Sequence, residues 1–438
     1  MDLDDFDTFR IATCDLNGQM RGKRMPQKDQ GKLASGDLRM PLSVLNVDIW
    51  GADIANSPLL FASGDGDGYL LPTNRGPVPM PWLDQPSALV GMWMFEEDGR
   101  PFEGDPRHAL AQILDCYAAR GWQVVAATEL EFYLIDDSAE SPRPPKDPAS
   151  NRKIDSSAIL SLQQLDAFEA FFSELYQSCA QMGINAQAAS SEAGIGQFEI
   201  SLQHGDALRI ADDTWLFKTL LKGVARKHGY AASFMAKPYP NDAGNGLHLH
   251  FSVLDEAGEN IFDDGTKQGS PLLQNAVAGC LATMRAATLG FAPHANSYAR
   301  MDPENHAPTS ICWGYENRTA ALRIPAGAPS ARRIEHRVAG GDINPFLTLS
   351  LILGAALLGI EDDLTPPPPI TGNAYSQDLP QLIHSWSDAI DMFENDPMVA
   401  RILPAQLIEN FSLTKRQELD GLKNIPQEEH WKTYLETV

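Results

Sequence analysis

Four short segments read as strands with one polar and one apolar side, and together they limit what the chain can become. In ATELEFYLI, Glu129, Glu131 and Tyr133 alternate with Leu130, Phe132 and Leu134. In GQFEISL, Gln197, Glu199 and Ser201 alternate with Phe198, Ile200 and Leu202. In GLHLHFSV, His248, His250 and Ser252 alternate with Leu247, Leu249 and Phe251. In RIEHRV, Arg333, Glu335 and Arg337 alternate with Ile334, His336 and Val338. Successive side chains on a strand point to opposite faces, so each segment separates its two kinds of residue cleanly. Taken singly, each is explained by a half-buried strand with a solvated face. A solvated face, however, is mostly Lys, Thr, Ser and Gln, whereas eight of these twelve polar-face residues are Glu, His or Arg. If the four share a sheet, their polar sides form one surface crowded with carboxylates. Glu192, joined to the third of these glutamates through Ala-Gly-Ile-Gly, reaches the same place.

Such a crowd has an electrostatic problem. Carboxylates within about 4–6 Å of one another raise each other's pKa unless cations sit between them. Hard divalent cations such as Mg²⁺ or Mn²⁺ prefer oxygen ligands with an occasional imidazole. Glu129, Glu131, Glu192, Glu199, Glu335 and His248 would supply them. Arg300, Arg318, Arg323, Arg333 and Arg337 then read as clamps for carboxylate or phosphate, although a surface ion pair explains any one of them alone. Carboxylates, divalent metal and several arginines together suggest phosphoryl transfer from a nucleotide. The common nucleotide folds are excluded, because no GxxxxGK[ST], GxGxxG or kinase signature occurs. The glycines of DAGNGLHLH fit a tight loop feeding a strand, and equally a plain hairpin turn.

The rest of the chain sets the frame. With 34 Lys+Arg against 58 Asp+Glu, the 438 residues carry a formal charge of −24, which argues against nucleic acid and anionic membranes as partners. The five cysteines are scattered without a CxxC, and the opening MDLDDFD lacks the basic-then-apolar order of a secretory signal, so a cytoplasmic location is expected. The apolar stretch 346–360 is interrupted by Thr348, Ser350 and Gly354 and reads as a buried helix. Proline-rich loops are expected over 137–152 and 361–377. Helices are expected over 107–120, 166–182 and 215–228, each ending at a glycine. The turn-rich DGRPFEGDP marks a domain joint, giving units 1–103 and 104–438 and an α+β class with antiparallel strands.

Read in series, several motifs resemble the glutamine synthetase family, and more closely its glutamate–amine ligase branch. They are DLNGQMRGKRMP, GDGDGYLLPT, ATELEFYL, SEAGIGQFEISL, FMAKPYPNDAGNGLHLHFS, NSYARMDP, ENRTAALRIP and RRIEHRVAGGDINPF. The resemblance implies a small β-grasp-like N-terminal domain and a large catalytic domain whose antiparallel sheet lines the active site. It implies that ATP phosphorylates the γ-carboxylate of glutamate and that an amine displaces phosphate to leave an amide. It also implies roughly two or three Mg²⁺ or Mn²⁺ ions per site, and a homo-oligomer with sites between subunits, a dodecamer in the bacterial class.

Carried over by position, Glu131, Glu192 and Glu199 match the ligands of the metal nearer glutamate. Glu129, His248 and Glu335 match those of the metal nearer the ATP phosphates. Arg300, Arg337 and Gly244 match glutamate contacts, and Arg318 the phosphoryl-stabilising arginine. His250, Ser252, Arg323 and Arg333 match nucleotide-side positions, and Asp48 an acid donated across a subunit interface.

The departures concern the nitrogen donor. Glutamine synthetases carry a glutamate before Ala-Pro that helps bind ammonium. Here MDPENHAP puts His306 there, with Glu304 two residues away as a possible substitute. A neutral imidazole favours a small cation less than a carboxylate does, yet still accepts a proton from an attacking amine. The ammonium-pocket motif is missing, Trp50 stands beside Asp48, and Ala243 replaces an asparagine. Trp50 fits an apolar or cation–π contact to an amine, or plain core packing. Together these changes point to an alkylamine, polyamine or amino alcohol as donor, in amine catabolism or detoxification. The alternatives are an ammonia-using enzyme with an altered base, or a non-catalytic relative. Tyr375 lies near the tyrosine that some bacterial relatives have nucleotidylated, in different surroundings that favour an ordinary loop tyrosine.

Overall fold

A computed structural model describes residues 3–60, 62–303 and 307–438. The N-terminal part builds one sheet from β1 (Thr8–Cys14), β2 (Met20–Pro26), β3 (Arg39–Pro41), β4 (Asp67–Pro72), β5 (Val78–Pro79) and β6 (Ser87–Phe95). The strand order is β2-β1-β6-β4-β3, with β5 on β6, and within this sheet β1 and β6 pair parallel while the other described pairs are antiparallel. One side of this sheet packs its own small core, including Leu70, Val90, Met94 and Phe102. The other side sends Cys14, Val78 and Leu89 into the core of the rest of the molecule.

The second sheet comprises β7 (Gln123–Ile135), β8 (Ala186–Ser191), β9 (Gln197–Asp206), β10 (Ala231–Ser233), β11 (Leu247–Leu254), β12 (Trp313–Tyr315), β13 (Leu322–Ile324) and β14 (Ile334–His336). Its order is β12-β13-β14-β11-β7-β9-β8, with β10 on the end of β7. The expected antiparallel pairing holds except between β12 and β13, which run parallel. Alternation along β7 buries Leu130, Phe132 and Leu134 against helices, leaving its glutamates on the opposite face.

Three of the expected helices form with shifted bounds. Helix Pro106–Ala118 starts at Asp105, whose carboxylate caps Arg107 N–H, with proline at the first position. The segment 166–182 is two helices, Leu162–Ala167 and Glu169–Met182, because Phe168 leaves helical geometry at φ −103°, ψ 22°. Helix Ala207–Lys227 begins eight residues before Trp215. Its early turns carry Asp212 and Asp213, buried charges that hide the apolar period. Arg107 grips Asp212 with bonds of 2.8 and 2.7 Å while stacking over Trp93 at 3.8 Å, and Arg75 and Arg209 hold Asp213. These pairs tie the two sheets' supporting elements together.

Helix Pro345–Glu361 is buried almost all round and crosses helix Pro271–Met284 at Gly359 and Gly279. A Cβ at Gly279 would sit 2.1 Å from the Ala355 carbonyl, so glycine permits this close crossing. The loops at 137–152 and 361–377 lack extended regular structure, as their prolines require. No helix among the described residues is long and apolar enough to cross a membrane.

Candidate active site

Sheet register brings the four polar faces onto one surface. Glu131 of β7 stands opposite Glu199 of β9. Glu129 stands opposite His248 of β11, and His250 opposite Glu335 of β14. Glu335 also faces Arg323 of β13. Period-two alternation and antiparallel pairing therefore suffice to gather side chains separated by some two hundred positions of sequence.

Glu129 is central. His248 Nδ1 lies 3.1 Å from its Oε2 and hydrogen-bonds to it. His250 Nε2 lies 3.1 Å from its Oε1, out of hydrogen-bond alignment. Two triads of potential ligand atoms fall within 4.8 Å, namely Glu129, Glu199, His248 and Glu129, His250, Glu335. The two ligand sets implied by the resemblance thus interleave through Glu129, and His250 joins them. Glu131 Oε2 accepts the Gly246 N–H at 2.6 Å, and Glu192 accepts from Ser190 Oγ at 3.1 Å. Glu335 is held by Arg323 at 2.8 Å and by Arg337.

The charges show the strain expected of such a crowd. Burial, then Glu131, Glu129 and Glu192, push Glu199 up to about 9. Burial, then Glu131, push Glu192 up to about 7. Burial also opposes ionisation of Glu129, but the two imidazoles outweigh it and hold that carboxylate well below its ordinary range. Glu335 is likewise buried and kept low, chiefly by Arg337. An all-oxygen and imidazole donor set carrying carboxylates that ionise only with difficulty fits a hard divalent cation.

The arginines frame this surface. Arg300 is buried and donates to the Val338 carbonyl at 2.8 Å. A Cβ on Gly246 would meet Arg300 Nη2 at 2.9 Å, with Glu131 Oε2 and His248 Nε2 each at 3.4 Å, so that glycine lets three groups converge. A Cβ on Gly244 would meet the Ala236 carbonyl at 2.7 Å and Arg300 Cγ at 2.8 Å. Arg318 is exposed between β12 and β13, on the side of Glu192. Beside the carboxylates opens a cavity of about 560 Å³ lined in part by Glu129, Ser201, His204, His250, Ser252 and Arg333. Arg333 Nε donates to His250 Nδ1 at 3.2 Å. Arg323 is directed elsewhere, bridging Glu335 and Glu316.

Two sequence-predicted residues lie apart. Asp48 is buried, and its carboxylate accepts from Trp50 N–H at 3.1 Å, Ala52 N–H at 2.8 Å and Gln417 Nε2 at 2.8 Å. Trp50 is 42% exposed, rests on Gly421 and donates to Thr433 Oγ1, so it is not a core residue. Among the described residues, no hydrogen bond or ion pair joins either to the carboxylate surface of the same chain. Glu304 and His306 lie outside the described residues. Sequence reasoning missed Glu316, which sits at φ +53° and accepts from both Arg323 and the Ala326 N–H. Its place directly before Asn-Arg was the one available signal.

Residues 103–434 match the family model described as glutamine synthetase, catalytic domain. The chain belongs to the glutamine synthetase family. This family member is 35% identical to gamma-glutamylputrescine synthetase PuuA of Escherichia coli (strain K12), over 93% of this chain and 87% of that one. It is 31% identical to glutamate–isopropylamine ligase of a Pseudomonas species, over 99% and 95%. The solved structure of apo GmaS without ligand superposes with a TM-score of 0.84 at 28% identity, covering 98% of this chain and 97% of that one. The chain is a member of the family's glutamate–amine ligase branch, an ATP-dependent carbon–nitrogen ligase by family. The family uses ATP and divalent metal, and the acidic and imidazole clusters described above fit that need.

Proposed function

We propose that the chain joins the γ-carboxylate of glutamate to an organic amine through γ-glutamyl phosphate. The observation that carries this reading is the register that aligns Glu129, Glu131, Glu199, His248 and Glu335 on one surface beside the 560 Å³ cavity. In the first step a γ-carboxylate oxygen attacks the terminal phosphorus of ATP, the bond to the bridging oxygen breaks, and ADP leaves. In the second, the amine nitrogen attacks the acyl carbon, phosphate departs with the carbon–oxygen electron pair, and the nitrogen loses a proton. A carboxylate does not react with amines at neutral pH, so the first step supplies the leaving group that the second requires.

His250, Ser252 and Arg333 line the cavity and suit the nucleotide, and Arg323 steadies Glu335. Arg300 and Arg337 suit the glutamate carboxylates, with Gly244 giving Arg300 room, and Arg318 suits the transferring phosphoryl group. Glu131, Glu192 and Glu199 would hold one divalent cation, and Glu129, His248 and Glu335 a second, with roughly two or three Mg²⁺ or Mn²⁺ in all. When bound, these ions supply charge neutralisation around the phosphates.

His306 takes the proton from the attacking nitrogen in this reading, with Glu304 as the alternative base. The relatives named for putrescine and isopropylamine support an organic donor over ammonium. Asp48 and Trp50, occupied away from their own chain's carboxylates, suit the amine side of a neighbouring subunit's site, hence a ring-forming homo-oligomer, a dodecamer in the bacterial manner. A β-grasp-like unit over 1–103 and a catalytic unit over 104–438 are consistent with the parallel β1–β6 pair and the separate small core. The scattered free cysteines fit a cytoplasmic setting.

Hydroxylamine tests the intermediate. Incubated with Mg²⁺, ATP and glutamate, the protein is expected to form γ-glutamyl hydroxamate together with one equivalent of ADP and phosphate. ADP release in step with glutamate but no hydroxamate at saturating hydroxylamine would refute the acyl-phosphate route.

A further inference from the structure

The Tyr375 hydroxyl is unused by the account above. The residue occupies the single turn Ala374–Ser376, after the run of prolines at 366–369. Its ring is half-buried, yet its oxygen is sealed from solvent and has no hydrogen-bond partner among the described residues. Buried hydroxyls are nearly always paired, and an exception in a folded protein calls for an explanation. The charged groups that act on this phenol are Arg337 and Arg300, the two guanidinium groups read above as glutamate clamps.

Chemistry narrows the role. Guanidinium groups only donate hydrogen bonds, so neither arginine can receive the phenolic proton. Burial raises the phenol's pKa, so it keeps that proton at neutral pH. Two cations within electrostatic reach of one neutral donor suit an anion with several acceptor lone pairs. A carboxylate is such an anion, and it is the group that the two arginines are read to hold.

The turn is also fixed in place. The Ala374 N–H donates to Thr319 Oγ1 at 3.0 Å, and Asn317 Nδ2 donates to the Gly372 carbonyl at 2.8 Å. Ala374 packs with Cys312 and Ala320. Thr319 and Asn317 flank Arg318, so these bonds tie the turn bearing Tyr375 to the loop bearing the phosphoryl-side arginine. A hydroxyl sealed in this way is a poor target for a modifying enzyme, which separates it from the nucleotidylated tyrosine near whose position it falls.

We propose that Tyr375 is a further substrate-binding residue, whose hydroxyl donates a hydrogen bond to the glutamate carboxylate held between Arg300 and Arg337. This rests on reading those arginines as the glutamate clamp. The test is steady-state kinetics of the full chain with hydroxylamine as donor, varying glutamate and ATP separately. Tyr375→Phe removes only the oxygen. It is expected to raise KM for glutamate roughly tenfold or more, as a lost hydrogen bond to a charged group does. KM for ATP should stay within twofold, and the melting temperature should be unchanged or higher. An unchanged glutamate KM, or an effect confined to ATP, overturns the proposal. Arg300→Gln is measured alongside. If it raises glutamate KM and Tyr375→Phe does not, the tyrosine alone is wrong. If neither does, the clamp reading has failed and takes the proposal with it.

Discussion

Exchanging Glu199 for glutamine is expected to cut turnover about a thousandfold while leaving the metal-free protein at least as heat-stable as the parent. The two halves have one cause. Glu199 lies opposite Glu131, and its carboxylate falls with Glu129 and His248 in a triad of potential ligand atoms. A glutamine of the same shape offers a neutral oxygen where a charged ligand is needed. Metal-assisted charge stabilisation amounts to several kcal/mol, and ~1.4 kcal/mol is tenfold in rate, so about a thousandfold is the scale of the loss. Without metal, Glu199 is a liability, because burial and three neighbouring glutamates resist its ionisation. A glutamine needs no proton taken up on folding, so that penalty is removed. Steady-state turnover with saturating Mg²⁺ and a thermal melt in chelator read the two effects on one sample. Turnover near that of the parent would remove Glu199 from the metal site, and a large drop in melting temperature would make its role structural.

Binding of Mg²⁺ is expected to release roughly one to two protons per chain at pH 7. Glu199 sits at about 9 and Glu192 at about 7, both raised first by burial, so the metal-free chain holds protons there that a cation displaces. The sign for stability follows. Between the ordinary glutamate value of about 4.5 and pH 9, the folded metal-free chain binds more protons at these positions than the unfolded chain. Their contribution to stability therefore falls as pH rises through that window. Bound cations remove the penalty, so the melting-temperature gain from Mg²⁺ should grow with pH from 5.5 to 8.5. Calorimetric titration in buffers of different ionisation enthalpy counts the protons, and melts with and without chelator give the slope. A proton count near zero, with a Mg²⁺ gain independent of pH, would mean that the carboxylates are already ionised and cation-free.

What the sequence made legible was whatever repeats with a short period. The alternation of Glu, His and Arg with apolar residues in β7, β9, β11 and β14 was visible because a strand's period is two, and it predicted a shared surface before any pairing was known. The first turns of helix Ala207–Lys227 were hidden because Asp212 and Asp213 are buried, and their partners Arg107 and Arg75 lie about a hundred or more positions away. The parallel pairing of β12 and β13 was hidden because three residues carry no period to read. Glu316 and Tyr375 were not recognised as site neighbours because their relevant contacts come from loop packing, which leaves no local pattern. The interleaving of the ligand sets through Glu129 depends on which imidazole reaches which oxygen, a matter of side-chain geometry rather than of order along the chain.

An organic amine, not ammonium, is the nitrogen donor in the proposed reaction. This assignment is tested most directly by phosphate release from ATP with Mg²⁺ and glutamate across ammonium, methylamine, isopropylamine, ethanolamine, putrescine, cadaverine, spermidine and spermine, with the product mass recorded. One organic amine is expected to raise kcat/KM at least about tenfold over ammonium, a difference of ~1.4 kcal/mol, with its γ-glutamyl amide as the product. Ammonium as the best donor, with glutamine as product, would contradict that assignment and make His306 the altered base of an ammonia-using enzyme.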